Sequence, residues 1–403
     1  MKLLLIHQNL PGQFRELIGP LLRAGFDVRG IAAHEKELPI PIPCQRYKPD
    51  NPEREGIHPL TSEIDDWVRR GSRVAQIIQS QVEENWIADV VLAHPGWGET
   101  LFLKDVLPST PMIIWPELWL REEHMGQADL SSRSYIRSKN WLLEDALLQC
   151  KHAILPTNYQ AGTFPEIWQD KITVIHEGVD ESLLIRERLR SLTLPSGVVL
   201  NEGTPVVSYI SRNLEPLRGF GDLMRCIAEL HESRQDIHTV IVGGDGSSYS
   251  GLPPKDKSWK DAVLEHVGTK YNKDLVHFVG YLPYEDLLKV LLRSDLNLYL
   301  SRNFVLSWSL IESIACGAPL LTYGNKMLKE LEEVSQGLHP ITYVREGDTH
   351  ELAKKISELI RSPAQRPQAR DLNVSRTLPN QWKRSLATEK VIGLIRNVGT
   401  NCF

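Results

Sequence analysis

The chain opens on Leu3-Leu4-Leu5-Ile6, an unbroken apolar run of the kind buried on both faces in a parallel sheet. A turn containing Pro11 and Gly12 follows, and then Leu17, Ile18, Leu21 and Leu22 recur at helical spacing up to Gly25. Strand, glycine-containing turn and helix make the opening of a Rossmann-like unit, and residues 26–31 predict its second strand. Further strands are expected over 89–93, 112–115, 153–155 and 172–175, each running into a polar or glycine-containing turn. Helices are expected from about Thr100 to Pro108 and over 134–149. The rhythm is that of a doubly wound α/β unit.

Residues 186–204 interrupt it. Leu192-Thr193-Leu194 and Val198-Val199-Leu200, with Pro-Ser-Gly between them, read as a small hairpin. The strand–helix alternation then restarts, with strands over 206–210, 239–242, 276–279, 296–300 and 319–322 and helices over 222–230 and around Glu312. The expected fold class is therefore α/β, with two Rossmann-like domains: residues 1–185, a linker hairpin over 186–204, and residues 205–377. Ligands of such sheets bind outside the carboxyl ends of the strands, so two sets of strand ends could face each other across a cleft.

Composition narrows the function classes. The 403 residues suit two domains, and a formal net charge of −5 supplies no general field for a polyanion. Nucleic acid is not an expected partner, and any phosphate must be held by a local constellation. The five cysteines (Cys44, Cys150, Cys226, Cys316 and Cys402) are scattered and form no Cys-x-x-Cys, so neither a zinc site nor a disulfide framework is suggested and a cytoplasmic setting is expected. The apolar run at the start ends at His7-Gln8-Asn9, too short for a signal or membrane-spanning segment, while peripheral contact with the inner face of a membrane stays open.

Two stretches carry candidate chemistry. Ser211-Arg212-Asn213-Leu214-Glu215-Pro216-Leu217-Arg218-Gly219 directly follows a strand, and two guanidinium forks on one loop suit a diphosphate; solvated surface arginines are the competing reading. Ser307-Trp308-Ser309 opens a helix whose amides suit phosphate, with Glu312 one turn in able to accept from ribose hydroxyls, against an ordinary amphipathic helix with Glu312 solvated. The Gly243-Gly244-Asp245-Gly246 turn lacks the spacing of a dinucleotide fingerprint. No convincing metal motif is present, since Asp65-Asp66 falls in a helix-like polar stretch. Trp97, Trp115, Trp119 and Trp308 could wall a sugar site, although core is the commoner role.

At these residues the sequence resembles glycosyltransferase family 4. Ser-Arg-Asn-Leu-Glu-Pro-Leu-Arg-Gly-Phe (211–220), Val-Gly-Gly-Asp-Gly (242–246) and Phe-Val-Leu-Ser-Trp-Ser-Leu-Ile-Glu-Ser-Ile-Ala-Cys-Gly (304–317) are similar to the C-terminal half of that family. His-Gln-Asn-Leu-Pro-Gly-Gln-Phe (7–14), His-Pro-Gly-Trp-Gly-Glu-Thr (94–100), Pro-Thr-Asn-Tyr-Gln (156–160) and Ile-His-Glu-Gly-Val-Asp (175–180) resemble one bacterial branch of it. The likeness runs in order over nearly the whole chain.

The resemblance implies a GT-B fold whose C-terminal segment 378–403 crosses back to the first domain. It further implies a nucleotide-sugar donor, UDP-sugar before GDP-sugar, no metal or other cofactor, and transfer with retention of anomeric configuration. By position, Arg212 and Arg218 match the basic pair on the donor diphosphate, although relatives usually carry Lys at the second place. Glu312 matches a ribose-binding glutamate, Gly280, Tyr281 and Leu282 the loop that reads the base, Gly12 a glycine approached by the diphosphate, and His94 an active-site histidine. Gly243 is expected in a tight turn near the donor. Glu117, His124 and His176 carry weaker signals, and His124 is expected at the surface. Phe304 stands where relatives carry a glutamate that meets the transferred sugar. The acceptor (a glycan, lipid-linked or small-molecule hydroxyl) and the oligomeric state are unreadable. A sugar-nucleotide epimerase, a glycan phosphorylase or a non-catalytic sugar-nucleotide binder of the same fold are the alternatives.

Overall fold

The structure is a computed structural model that describes residues 1–33, 40–49, 59–125, 130–248, 250–302, 304–324, 326–335, 341–360 and 379–400. The chain divides into two compact units, residues 1–178 with 384–403, and residues 179–383. The first sheet contains β1 (Lys2–Ile6), β2 (Asp27–Ala32), β3 (Cys44–Arg46), β4 (Val90–Ala93), β5 (Met112–Ile114), β6 (His152–Leu155) and β7 (Ile172–Val174). The hairpin strands β8 (Leu192–Thr193) and β9 (Val199–Leu200) come next. The second sheet contains β10 (Val206–Asn213), β11 (His238–Gly244), β12 (Val276–Gly280), β13 (Leu296–Tyr299), β14 (Leu320–Tyr323) and β15 (Ile341–Val344).

The sheet orders are β3-β2-β1-β4-β5-β6-β7 and β12-β11-β10-β13-β14-β15, all pairs parallel. Each sheet thus repeats the Rossmann order outward from its first strand, with its switch point between β1 and β4 in one and between β10 and β13 in the other. The period of two along a strand sorts the first core. Leu4, Ile6, Val91, Ala93 and Met112 face one cluster, while Leu3, Leu5, Val90, Leu92 and Ile113 face the other. Val74 and Ile78 of the helix Pro59–Glu83 and Ala146 and Leu147 of the helix Leu130–Gln149 cover the first face. Ala387, Val391, Ile395 and Val398 of the C-terminal helix Arg384–Thr400 join the second, so the end of the chain completes the first unit's core. In the second unit Val207, Tyr209, Leu296 and Leu298 pack on Phe220, Leu223 and Ile227 of the helix Phe220–Ser233.

Several elements differ from the sequence reading. The division falls between Gly178 and Val179, earlier than residue 185, and the hairpin lies inside the second unit. Arg293, 2% exposed, explains this placement: its guanidinium donates to the carbonyls of Leu200, Asn201 and Thr204 and so ties the hairpin to the helix Tyr284–Arg293 of the second unit. The helix expected over 100–108 shrinks to Leu103–Val106. The helix Pro59–Glu83 was not foreseen, because its core contacts through Trp67, Val74 and Ile78 sit in a largely polar stretch. The edge strands β3 and β15 were missed too; Cys44-Gln45-Arg46 is short and carries no apolar alternation. Residues 361–378 and 401–403, the ends of two expected segments, lie outside the described residues.

One glycine fixes the second unit's loop after β10. Gly219 has φ +78°, and a Cβ there would stand 2.3 Å from the carbonyl oxygen of Leu300. Gly219→Ala combines a left-handed backbone with a backbone clash, so we expect it to destabilise the chain by at least about 2 kcal/mol in urea unfolding. Unchanged stability would show that the loop relaxes freely.

Candidate functional site

In the first unit Ile6 pairs with Ala93, so His7 and His94 leave β1 and β4 side by side at the switch point. Both are buried, and their rings lie 5.2 Å apart. Trp97 stacks on His94 at 4.2 Å and meets His7 edge-on at 5.1 Å. The Nδ1 of His7 accepts from the N–H of Asn9 at 2.9 Å, and that of His94 from Gly96 at 3.1 Å. A ring nitrogen that accepts a backbone proton leaves the other to carry the imidazole proton, so each ring presents Nε2–H as a donor. Burial above all holds the His94 pKa well below the ordinary 6.5 and keeps it neutral. Its Nε2 is buried without a hydrogen-bond partner among the described residues.

Gly12 serves this site in a way the sequence did not show. It has φ +44°, and a Cβ there would meet the His7 ring at 2.3 Å. The absent side chain makes room for an imidazole, whatever a ligand then does above it. Gln13 donates to the carbonyl of Trp115 at 3.0 Å and ties the same turn to the end of β5.

Sequence reasoning passed over Glu99, which is 1% exposed. Its carboxylate accepts from Tyr47 at 2.8 Å and lies 3.8 Å from Arg70, whose guanidinium donates to Gln8 at 2.5 Å. Burial raises the Glu99 pKa against these partners. The available signal was a carboxylate inside a glycine-bracketed turn at a strand end. His124, expected at the surface, is instead 2% exposed. Its Nδ1 accepts from the Arg121 N–H at 2.8 Å and its Nε2 contacts the Tyr159 hydroxyl at 3.1 Å, so hydrogen bonds on both nitrogens offset its burial. His176, just beyond β7, repeats the pattern of His7 and His94: Nδ1 accepts from Gly178 at 2.9 Å, and burial lowers its pKa to about 4. The backbone of Glu117 accepts from Gln160 at 2.6 Å, which places that residue in a loop-holding role.

The second unit places its candidates around the β10–β13 switch point. Arg218 is 8% exposed and donates to the hydroxyl of Ser301, just beyond β13, at 3.3 Å, while its carbonyl accepts from Tyr209 at 2.8 Å. Arg212 is exposed. The two arginines thus differ, and they do not share a loop: Arg218 is built into the wall, while Arg212 falls at the end of β10, which runs further than the sequence reading had it, with its side chain exposed. Glu215, fully buried, accepts from the N–H groups of Ser248 and Ser250 at 3.0 Å each and holds the neighbouring loop. A Cβ on Gly243 would meet the Ser211 carbonyl at 2.7 Å, and one on Gly244 would meet the Tyr281 ring at 2.2 Å. Tyr281 lies across that glycine, 68% exposed, with its hydroxyl donating to Asn213 at 2.7 Å; Gly280 precedes it at φ +67° and Leu282 follows half-buried.

A chain of buried hydrogen bonds positions the helix Trp308–Cys316. Ser208 of β10 donates to Asn297 of β13 at 2.9 Å, and Asn297 donates to Ser313 at 2.8 Å. The neighbouring Glu312 is 7% exposed, which sets aside the solvated reading. At the helix start the Ser307 and Ser309 hydroxyls lie 2.8 Å apart and Trp308 is 37% exposed. Phe304 is buried, at 7% exposure.

Two Rossmann-like units in series, with buried polar groups at each switch point, define the GT-B class of α/β protein. The family described as "Glycosyl transferase family 4 group" matches residues 26–184, and "Glycosyl transferases group 1" matches residues 195–373. The chain thus carries a glycosyl transferase family 4 group domain followed by a glycosyl transferases group 1 domain. It is 27% identical over 163 residues to a 2-deoxystreptamine glucosyltransferase of Streptomyces kanamyceticus, a match covering 40% of this chain and 38% of that relative. Among solved structures, sucrose-phosphate synthase from Thermosynechococcus elongatus superposes with TM-score 0.72 at 14% identity over 100% of both chains. Anabaena HepE in complex with UDP-glucose gives 0.66 at 15% identity over 98% of this chain and 100% of that one. These structures share the fold.

His176 gives the first unit a pH dependence of stability. Its pKa is about 4 in the folded chain and near 6.5 when unfolded. Its contribution is full above about pH 6.5 and falls toward pH 4, because there the unfolded chain binds a proton that the folded one refuses. We expect wild type to lose roughly 2–3 kcal/mol more than His176→Asn between pH 7 and about pH 4.5 in urea unfolding. Equal losses would remove His176 as a source of acid sensitivity.

Proposed function

We propose that the chain is a glycosyltransferase that moves a hexosyl group from a UDP-sugar to an acceptor hydroxyl, with retention of configuration and without a metal. The observation that carries the reading is the second unit's switch point, where exposed Arg212, wall-bound Arg218, the helix start at Ser307–Ser309 and buried Glu312 share one sheet edge. The arginines and helix-start amides would take the diphosphate and Glu312 the ribose, while the loop of Gly280, Tyr281 and Leu282 would take the base. His94, neutral and presenting Nε2–H, would donate to a hydroxyl of the reacting sugar.

In the reaction the bond between the sugar's anomeric carbon and the β-phosphate oxygen breaks, and negative charge builds on the departing phosphate. Arg212, Arg218 and the amides stabilise that charge. The acceptor oxygen bonds to the anomeric carbon on the face the phosphate leaves, and its proton passes to a phosphate oxygen. No separate protein base is required. Retention and the choice of UDP rest on the family resemblance.

By the family resemblance the buried Phe304 stands where relatives carry a carboxylate that meets the transferred sugar, and that departure favours a non-catalytic binder as the second reading. Among the described residues no helix is long and apolar enough to cross a membrane. A cytoplasmic enzyme, in contact with the inner membrane face if its acceptor is lipid-linked, is the setting we propose.

UDP-sugars should raise the melting temperature more than GDP- or dTDP-sugars, and wild type should release UDP from at least one of them. Arg212→Ala should slow that release at least a hundredfold, in line with about 2.7–4 kcal/mol for one lost oxyanion donor, with an unchanged melt. Near-normal release by the variant would overturn the assignment of Arg212, and binding without release would favour the second reading.

A further inference from the structure

A groove of ≈ 730 Å³ opens in the first unit between the helix Leu130–Gln149 and the segment that follows β5. Its walls include Trp119, Arg133, Arg137, Trp141 and Glu144. The volume lies within the range of small-ligand sites, and the segment carrying Trp119 leaves the carboxyl end of β5, the edge at which such sheets take ligands.

One wall is rigid. Asn140 accepts from the N–H of Leu120 at 2.9 Å and donates to its carbonyl at 2.8 Å, which clamps the segment to the helix. The N–H of Trp119 donates to Thr163 at 3.1 Å, its ring packs 5.9 Å from Phe164, and Arg121 donates to the carbonyls of Gly162 and Thr163. The other wall is open. Trp141 is 65% exposed, so most of its indole surface is open to a ligand in the groove.

The charges around these rings cancel. Arg133 pairs with Glu122 at 2.9 Å. Arg137 and Glu144, one arginine and one carboxylate on the same helix face, have no hydrogen-bond or ion-pair partner among the described residues. Such a groove holds no net field for a phosphate or an anionic lipid surface, which would call for clustered positive charge. Aromatic faces combined with a free guanidinium fork and a free carboxylate fit a different ligand. A neutral pyranose has one face of C–H groups that lies on an indole ring, and a rim of hydroxyls that both accept from Arg and donate to Glu.

We infer that this groove binds a neutral oligosaccharide, held by Trp119 and Trp141 against its ring faces and by Arg137 and Glu144 at its hydroxyls. This extends the transferase reading, on which it rests, by giving the chain a hold on a glycan outside the groups assigned to the reacting sugar and the donor. The acceptor class it selects is an uncharged glycan of two or more residues.

The test is direct binding, independent of turnover. Wild-type chain is applied to an array of neutral and acidic glycans, the best neutral binder is titrated by tryptophan fluorescence, and Trp141→Ala and Arg137→Ala are titrated alongside. We expect a neutral oligosaccharide to quench wild-type fluorescence and to bind Trp141→Ala at least about tenfold more weakly. The melting-temperature rise with UDP should be the same in both variants, which shows them folded. The inference is overturned if wild type retains no neutral glycan, if Trp141→Ala binds it equally well, or if acidic glycans or phosphatidylserine vesicles are bound in preference. Loss of the UDP response in wild type would instead count against the transferase reading, so the two failures are distinguishable.

Discussion

A parallel sheet whose crossovers depart in opposite directions from two neighbouring strands cannot cover the space beyond their carboxyl ends. In each unit of this chain that constraint decides where polar groups can be buried yet still reach a ligand. At β1 and β4 the gap is lined by His7 and His94 with Trp97 laid over them. At β10 and β13 it is lined by Arg218 and Ser301, and the bonds from Ser208 through Asn297 to Ser313 carry the helix of Glu312 to the same edge. Everything chemical in the chain hangs on the pairing of those strands, and their pairing follows from strands buried on both faces.

Burying an imidazole at such a gap has a cost that the backbone partly offsets. In His7, His94 and His176 the N–H two residues on occupies Nδ1. One bond from the turn that ends the strand thus satisfies half of the side chain, orients the ring and selects the tautomer. The turn needs room for this geometry, and glycine provides it at Gly96, where a Cβ would stand 2.6 Å from the His94 ring. For His94 and His176 neutrality follows from burial, so these two rings offer hydrogen bonds without charge, a property suited to sugar hydroxyls.

Much of this was legible in the sequence for a physical reason. Strands buried on both faces are continuous apolar runs, and Leu3 to Ile6 or Val90 to Ala93 cannot be read as anything solvated. The residues closing them had to be polar or glycine, so His94, Arg212 and Arg218 stood out. Helices facing the core through a narrow stripe were less legible, as Pro59–Glu83 shows with Trp67, Val74 and Ile78 among charged neighbours. Least legible were contacts made across sequence: Tyr47 and Arg70 on Glu99, or Asn140 on Leu120. Local pattern carries no information on which distant polar group will satisfy a buried one. The burial of His124 was missed on the same account, because its second offsetting bond comes from Tyr159, far along the chain.

On the proposed function, the unequal surroundings of the two arginines bear on how a chain with net charge −5 would hold a diphosphate. Two buried cations at one strand end would carry a large desolvation cost in the empty state, while two exposed ones would be screened and would lose side-chain entropy on binding. Arg218 settles one charge in advance, its guanidinium held by Ser301 and its backbone by Tyr209. Arg212 is exposed, so on that reading its desolvation would be met by the ligand's own charge. A fixed donor would give the preorganisation that charge development on a leaving phosphate requires, and an exposed one would let a nucleotide enter and leave. On this division a lysine at the position of Arg218 would keep the charge but lose the planar fork whose several N–H groups donate in fixed directions, which is a physical reason for arginine at this position.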